Sequence, residues 1–513
     1  PCHSRRAILG DYTHAEPDLL DSLLPSMLTE ELYFTDGQIL EEVYVYGSFT
    51  QCKMYRRDVR CSDCHDVHSI KPIKEGNGLC LQCHRAKIYD SKEHHFHKKK
   101  GEKGEPIRSK EGKVLFEVGT GAECVQCHMP GRYYMGIDYR PDHSFRIPRP
   151  DLSIKLGTPN GCNRCHGDKT NQWSEQYITK WYGPGRRAHY GTIMAAGRRQ
   201  QTEAHQDLIK LAGDPLYPVI VRATALSLLS AYPGEETNQA YELALMDEEA
   251  LIRRTAVDQL HVSDPPKQTE LLAAMLYDPV KAVCLEAARR LTEIPSPQLD
   301  EKQNELFRTT LLEYQQAMEY SGDFAFGRYN LANLYASLKK PQLAIDNYQA
   351  ALGIDGKFYP AKVNLAMLYN QMGQNDKAER LLREVVTDQP ELYEIQYSLG
   401  LLLAEEKQYA EAARYLEAAA RGMPDRSRVH YNLGLLLDYL GRDVQAESAL
   451  QRALELEPAN IEYLNAIAQY YLKREMYQEA KRIAEQIISR HPNNRLGSQL
   501  LEIVKGRMRK ERQ

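Results

Sequence analysis

The chain has 513 residues, enough for several domains, and 70 Asp and Glu against 66 Lys and Arg give it a net charge of −4. Residues 1–200 carry 30 basic against 25 acidic side chains and the remainder 36 against 45, a spread with no strongly basic face for nucleic acid. No run of 18 apolar residues offers a membrane span.

The chain opens on Pro1-Cys2-His3-Ser4-Arg5-Arg6. Cys2-His3 reads as the back half of a Cys-x-x-Cys-His unit whose first Cys would sit two residues before Pro1. On that reading the chain is the later part of a longer, exported protein. Further on, Asp36-Gly37 lies between Leu32-Tyr33-Phe34 and Ile39-Leu40, a hairpin signal. Cys52 stands outside every motif and is expected to be a small buried residue.

Between residues 61 and 166 the unit is complete four times: Cys61, Cys64 and His65; Cys80, Cys83 and His84; Cys124, Cys127 and His128; Cys162, Cys165 and His166. Two thiols three residues apart can add to the two vinyl groups of one porphyrin, and the adjacent imidazole then ligates its iron. Paired Cys-x-x-Cys units also build four-cysteine zinc ribbons, but zinc does not require His after the second Cys. The motifs therefore predict four haem c groups, with Cys2 and His3 contributing to a fifth. Gaps of 14, 39 and 33 residues hold the motifs close enough to form a chain for electrons. Little helical or strand periodicity is expected here, because porphyrin rings would replace the usual core.

The sixth ligand of each iron decides whether it is closed. The other histidines of residues 1–200 are His14, His68, His94, His95, His97, His143 and His189. They suffice for closed bis-His ligation throughout, so Met129 and Met135 are not expected to ligate. His68 lies too near His65 to cap the same iron and should cap a neighbour. The Lys98–Lys113 stretch reads as a solvated, mobile loop. Arg132, Arg146 and Arg149 suit haem propionates, whose charge would offset the small basic excess.

From Trp173 the period becomes helical, through Trp173, Tyr177 and Trp181, and a second segment begins near Ala188. Residues 214–291 repeat every 31 residues: Val221, Ile252 and Val283 align, as do Ala225, Ala256 and Ala287, and Leu229, Leu260 and Leu291. The pattern resembles HEAT-type helical pairs. Cys284 falls where the earlier repeats have Arg222 and Arg253. Residues 325–492 hold five repeats of 34, with small residues at Ala332, Ala366, Gly400, Gly434 and Ala468. Twelve residues after each come Ala344, Ala378, Ala412, Ala446 and Ala480, and turn prolines recur from Pro390 to Pro492. This is the tetratricopeptide (TPR) pattern. Thr310, Tyr314 and Ala317 fit the second helix of a degenerate unit before it, and residues 495–513 fit a capping helix.

The expected fold is mainly α: a haem-packed, secondary-structure-poor multihaem cytochrome domain over 1–200, HEAT-like repeats over 205–297, and TPR repeats with a capping helix over 299–513. PCHSRR, GSFTQCKMY, CSDCHDVHS, GNGLCLQCH, HHFH, ECVQCHMPGRYYMGID, DHSFRIPRPDLS and LGTPNGCNRCH resemble exported multihaem c-type cytochromes that carry C-terminal TPR repeats, related in haem packing to hydroxylamine-oxidoreductase-type cytochromes. The resemblance covers residues 1 to about 200. It implies further haem motifs upstream, and His68, the His94–His97 cluster and His143 as distal ligands. The expected function is electron transfer in the periplasm or outside the cell, with redox partner proteins and a solenoid that docks protein or peptide. The alternatives are an enzyme acting on a small nitrogen or sulfur compound at an open haem, and self-assembly into a filament.

Overall fold

The computed structural model describes residues 5–11 and 18–511, in two compact units, Pro1–Ser321 and Gly322–Gln513. The early part of the first unit has short elements only. β1 (Arg6–Ile8) pairs antiparallel with β2 (Leu23–Pro25), and one-turn α1 (Tyr46–Phe49) follows. Between them Asp36-Gly37 makes a tight turn, with Gly37 N–H donating to Phe34 O (2.8 Å) and Gly37 at φ +81°. The expected hairpin there forms no ladder of strands and reduces to one antiparallel bridge, Tyr33 to Ile39.

Two single-turn helices, α2 (Ala86–Tyr89) and α3 (Lys92–His95), lead to β3 (Ile107–Arg108) and its partner β4 (Val114–Phe116). The Lys98–Lys113 stretch is therefore not wholly irregular, since β3 lies within it. Then come α4 (Cys124–His128), the hairpin of β5 (Arg132–Tyr134) and β6 (Asp138–Arg140), α5 (Pro150–Leu156) and α6 (Gly161–Cys165). From Lys53 to Gly121 not one described side chain is buried. A stretch of that length cannot offset its ordering entropy by side-chain burial. Its order has to come from the motifs themselves and what they hold.

After residue 170 the chain is helical. Thr170 caps α7 (Asn171–Tyr182) and His189 caps α8 (Tyr190–Arg198). Six helices follow: α9 (Ala204–Gly213), α10 (Val219–Leu228), α11 (Glu235–Ala244), α12 (Ala250–Gln259), α13 (Pro265–Met275) and α14 (Lys281–Leu291). All nine residues aligned at the 31-residue spacing are fully buried. Ion pairs use the same period: Arg222 binds Asp247, and Arg253 binds Asp278 at 2.6 Å. Cys284 takes the third place, and its thiol donates to Lys281 O (3.4 Å) instead.

The early segment is stapled to this row of helices. Leu28 N–H donates to Thr224 Oγ1 (3.1 Å), Lys281 N–H to Asp21 Oδ1 (2.9 Å), and Arg198 to Leu28 O (2.7 Å). Helix α15 (Glu301–Tyr320), with Thr310, Tyr314 and Ala317 buried, ends the unit.

The second unit is a run of helical hairpins. They are α16 (Ala325–Ser337) and α17 (Pro341–Ile354), α18 (Tyr359–Gln371) and α19 (Asn375–Asp388), α20 (Tyr393–Glu405) and α21 (Tyr409–Gly422). The last two pairs are α22 (Ser427–Tyr439) with α23 (Asp443–Leu456) and α24 (Ile461–Lys473) with α25 (Tyr477–Arg490); α26 (Leu496–Glu511) closes the stack, burying Leu500 and Val504. The recurring small residues set how closely paired helices approach. A Cβ on Gly434 would lie 2.7 Å from Leu450, and one on Gly400 2.9 Å from Leu416. The fold is mainly α, with a C-terminal TPR solenoid.

Candidate cofactor site

Each Cys-x-x-Cys-His unit forms a single helical turn. The His amide donates to the first Cys carbonyl in His65 (2.9 Å), His84 (3.0 Å) and His166 (2.9 Å), and α4 spans the third unit. Positions i, i+3 and i+4 of a turn share one face, so each unit presents two thiols and an imidazole together. None of the eight cysteines is in a disulfide.

The units form a row. Gln82 donates to Asp63 O (2.9 Å), joining the second unit to the first. Asn77 accepts from Cys124 N–H (2.8 Å), and Arg164 donates to Gln126 Oε1 (2.6 Å), joining the third and fourth. The Cys80 and Cys124 thiols hydrogen-bond one another. Burial, with Cys162 and Cys165 nearby, pushes the Cys127 thiol up to about 12.

The two ends of the second unit differ in exposure. Cys83 is exposed, and so is His84 beside it, whereas Cys80 is half-buried against Cys124. Cys83 sits at the end of the 3-10 turn Gly76–Gln82, with its N–H donating to Cys80 O (3.3 Å), and no side chain of that turn is buried. The turn keeps Cys80 and Cys83 within reach of one porphyrin, but protein side chains enclose only the Cys80 end. Cys61 is the other exposed thiol, and the remaining six are half-buried.

Three motif histidines each face a second imidazole. The ring centroids are 6.3 Å apart for His65 and His143, 6.1 Å for His128 and His94, and 6.3 Å for His166 and His97. Two nitrogens each about 2 Å from a shared metal, with centroids about 1 Å further back, require about 6 Å. The tautomers agree with that use. Nδ1–H donates to a backbone carbonyl in His65 (Ile70 O, 2.8 Å), His128 (Arg146 O, 2.6 Å), His143 (Pro141 O, 3.0 Å) and His97 (His95 O). A carbonyl only accepts, so each Nε2 keeps its lone pair, the arrangement of a metal-bound histidine. Burial lowers the pKa of His94, His128 and His166, which favours the neutral form a ligand needs.

The other expected ligands sit elsewhere. Among the described residues the ring that approaches His84 is Tyr89, edge-on at 5.5 Å. Tyr89 also meets His94 at 5.4 Å. His68 is exposed beside the first unit, and no motif histidine faces it among the described residues. His95 accepts the His97 N–H (3.2 Å) on Nδ1, and its Nε2 is buried without a partner. His189 faces no motif histidine among the described residues. Its Nδ1 accepts the Gly191 N–H (3.0 Å), which puts the proton on Nε2 and removes the lone pair a metal would need. Burial beside Arg146 and Arg149 lowers its pKa to about 3. Cys2, His3 and His14 lie outside the described residues. Met135 is largely exposed.

The residues present fit haem c better than zinc. Among the described residues no three His, Cys, Asp or Glu side chains converge as a protein-only metal site. Arg146 was expected at a propionate. Its guanidinium is instead buried, donating to Asp36 O (2.6 Å) and Gln51 Oε1 (2.9 Å). Sequence reasoning missed the carbonyl partners Ile70, Pro141 and Arg146, because any residue type supplies a carbonyl.

Residues 79–141 match the family described as cytochrome c554 and c-prime, which implies haem c binding. Residues 335–398, 403–470 and 466–494 match tetratricopeptide repeat families. No curated protein matches the chain. Solved structures that resemble part of it include residues 41 to the end of MamA from Desulfovibrio magneticus RS-1, at 21% identity over 32% of this chain and 92% of that one, TM-score 0.30. Another is YrrB, described as a TPR protein with an unusual peptide-binding site, at 21% identity over 36% of this chain and 95% of that one, TM-score 0.33. No described helix is long and apolar enough to cross a membrane.

Proposed function

We propose that this chain is a multihaem c-type cytochrome that carries electrons along its four motifs, and that its TPR solenoid docks protein or peptide partners. The cysteine pairs Cys61 and Cys64, Cys80 and Cys83, Cys124 and Cys127, and Cys162 and Cys165 would hold the porphyrins, and His65, His84, His128 and His166 the irons. Iron closed between two imidazoles supplies one-electron transfer without an open position. His143 would close the first iron, His94 the third and His97 the fourth. His95 would orient His97 rather than ligate. The cytochrome region would span 1–200, a HEAT-like region 205–297 and the TPR region 299–513. Covalent haem attachment places such a protein in the periplasm or outside the cell.

One observation carries this reading: three rings from three separate motifs each face a second imidazole at 6.1–6.3 Å. The test is a haem count with a low-temperature electron paramagnetic resonance (EPR) spectrum of the oxidised protein. Three low-spin bis-imidazole signals from the complete motifs are expected. Fewer than four haems per chain, or no low-spin signal, would overturn it.

A second reading rests on the exposed edge at Cys83 and His84, where no imidazole faces His84 among the described residues. An iron held there would have an open position, suited to a small ligand and to enzyme chemistry. The reduced protein would then bind one carbon monoxide per chain, visible as a Soret shift. No binding would leave the electron carrier alone.

A further inference from the structure

We infer that α7 is a positioning element for the axial histidines of two irons, acting through Trp173, Trp181 and Tyr182; this rests on the haem reading above. The side chains that α7 buries are Ser174 and Ile178. Its aromatic stripe, Trp173, Tyr177 and Trp181, lies on the neighbouring face, and Tyr177 remains 37% exposed. The stripe is therefore not the core face of the helix.

It meets histidines instead. Trp173 lies 5.0 Å from His166, and Trp181 lies 5.9 Å from His97. These are the two rings of one pair. Trp173 and Trp181 are eight residues apart, about 12 Å along a helix, so the two indoles reach that pair from its two ends. Tyr177 bridges them at 4.6 and 5.5 Å, and Phe96 stacks flat on Trp181 at 4.7 Å. One residue further on, the Tyr182 hydroxyl donates to the carbonyl of His94, the partner of His128.

The register of α7 is fixed at its start. Thr170 Oγ1 accepts the Trp173 N–H (3.2 Å), and Ser174 donates to Asn163 Oδ1 (2.7 Å) between the two cysteines of the fourth motif. A helix locked to the fourth motif thus holds distal residues contributed by the segment His94–His97. The quantity it would set is the angle between paired imidazole planes, 35° for His97 and His166 and 11° for His94 and His128. That angle governs the anisotropy of a low-spin iron signal.

The test uses the full chain with its haems, comparing EPR spectra and haem content for Trp181→Ala, Trp181→Phe and Tyr182→Phe. Trp181→Ala should keep the haem content, shift one low-spin signal and leave the others in place. Trp181→Phe should restore that signal, and Tyr182→Phe should shift a different one. Unmoved spectra in all three, with only thermal stability lowered, would make α7 a packing helix and overturn the inference. Should Trp181→Ala fail to accumulate with haem, Tyr182→Phe decides alone, since it removes a single hydroxyl. A parent protein without bis-imidazole signals would overturn the haem pairing itself, before any variant is made.

Discussion

His97 is held between two hard surfaces. Its Nδ1–H is taken by the His95 carbonyl, and a Cβ on Gly121 would lie 2.3 Å from its ring. Gly121→Ala should therefore displace the ring and convert one low-spin iron signal to high-spin, read by EPR. Overpacking of that kind should also cost about 1–3 kcal/mol in stability. The three ring pairs lie 11°, 34° and 35° from parallel, which predicts rhombic low-spin signals rather than the strongly anisotropic kind given by perpendicular rings. His189 makes a pH prediction. Its pKa is near 3 in the folded chain, against about 6.5 for a free histidine. The unfolded chain takes up a proton that the folded chain refuses, so stability is full above about pH 6.5 and is lost as the pH falls towards 3. His189→Asn keeps a capping side chain and should flatten this part of the pH profile in thermal melts.

Among the elements, the helices of residues 204–291 are tied by a ladder as well as a core. Arg253 and Asp278 are both largely buried. Arg253→Ala would strand the carboxylate and should cost about 3–5 kcal/mol, measured by denaturant unfolding. The ladder was half visible in the sequence. Arg222 and Arg253 recur at 31 residues, but their aspartates lie 25 residues further on, across the next turn. In the TPR helices Gly434→Ala should destabilise the second unit by about 1–3 kcal/mol, because its Cβ would meet the Leu450 side chain at 2.7 Å. The elements that sequence patterning misjudged were the weakest ones. The Asp36-Gly37 turn has one bridge because its flanks pack against other segments, with Asp142 accepting the Ile39 N–H (3.4 Å). β3 arises inside a charged stretch because β4 gives it a partner.

The whole molecule joins two ways of making a stable fold. The second unit buries a continuous row of Ala, Leu and Tyr and needs no cofactor. Residues 53–121 hold no fully buried side chain. The unfolding midpoint of the TPR helices should thus be the same in haem-loaded and haem-free protein, followed by circular dichroism. Residues 53–121 should lose their order when haem attachment fails, while the buried helices of residues 204–291 should keep theirs.

The four Cys-x-x-Cys-His spellings and the repeats were legible in the sequence alone. Both are local: two thiols and an imidazole on one turn, or small residues at a fixed period, need only the chain's own spacing. Only the tertiary structure decided which imidazole faces which. His65 meets His143 and His166 meets His97, partners far apart in the chain with no periodic signal between them. It decided, too, that Cys83 and His84 lie on an exposed edge, since exposure depends on which units pack alongside and the motif spelling is the same in all four. It also placed His189 as the cap of α8, a role the sequence does not show. That role rests on which nitrogen carries the proton, and the proton is placed by a backbone amide two residues away.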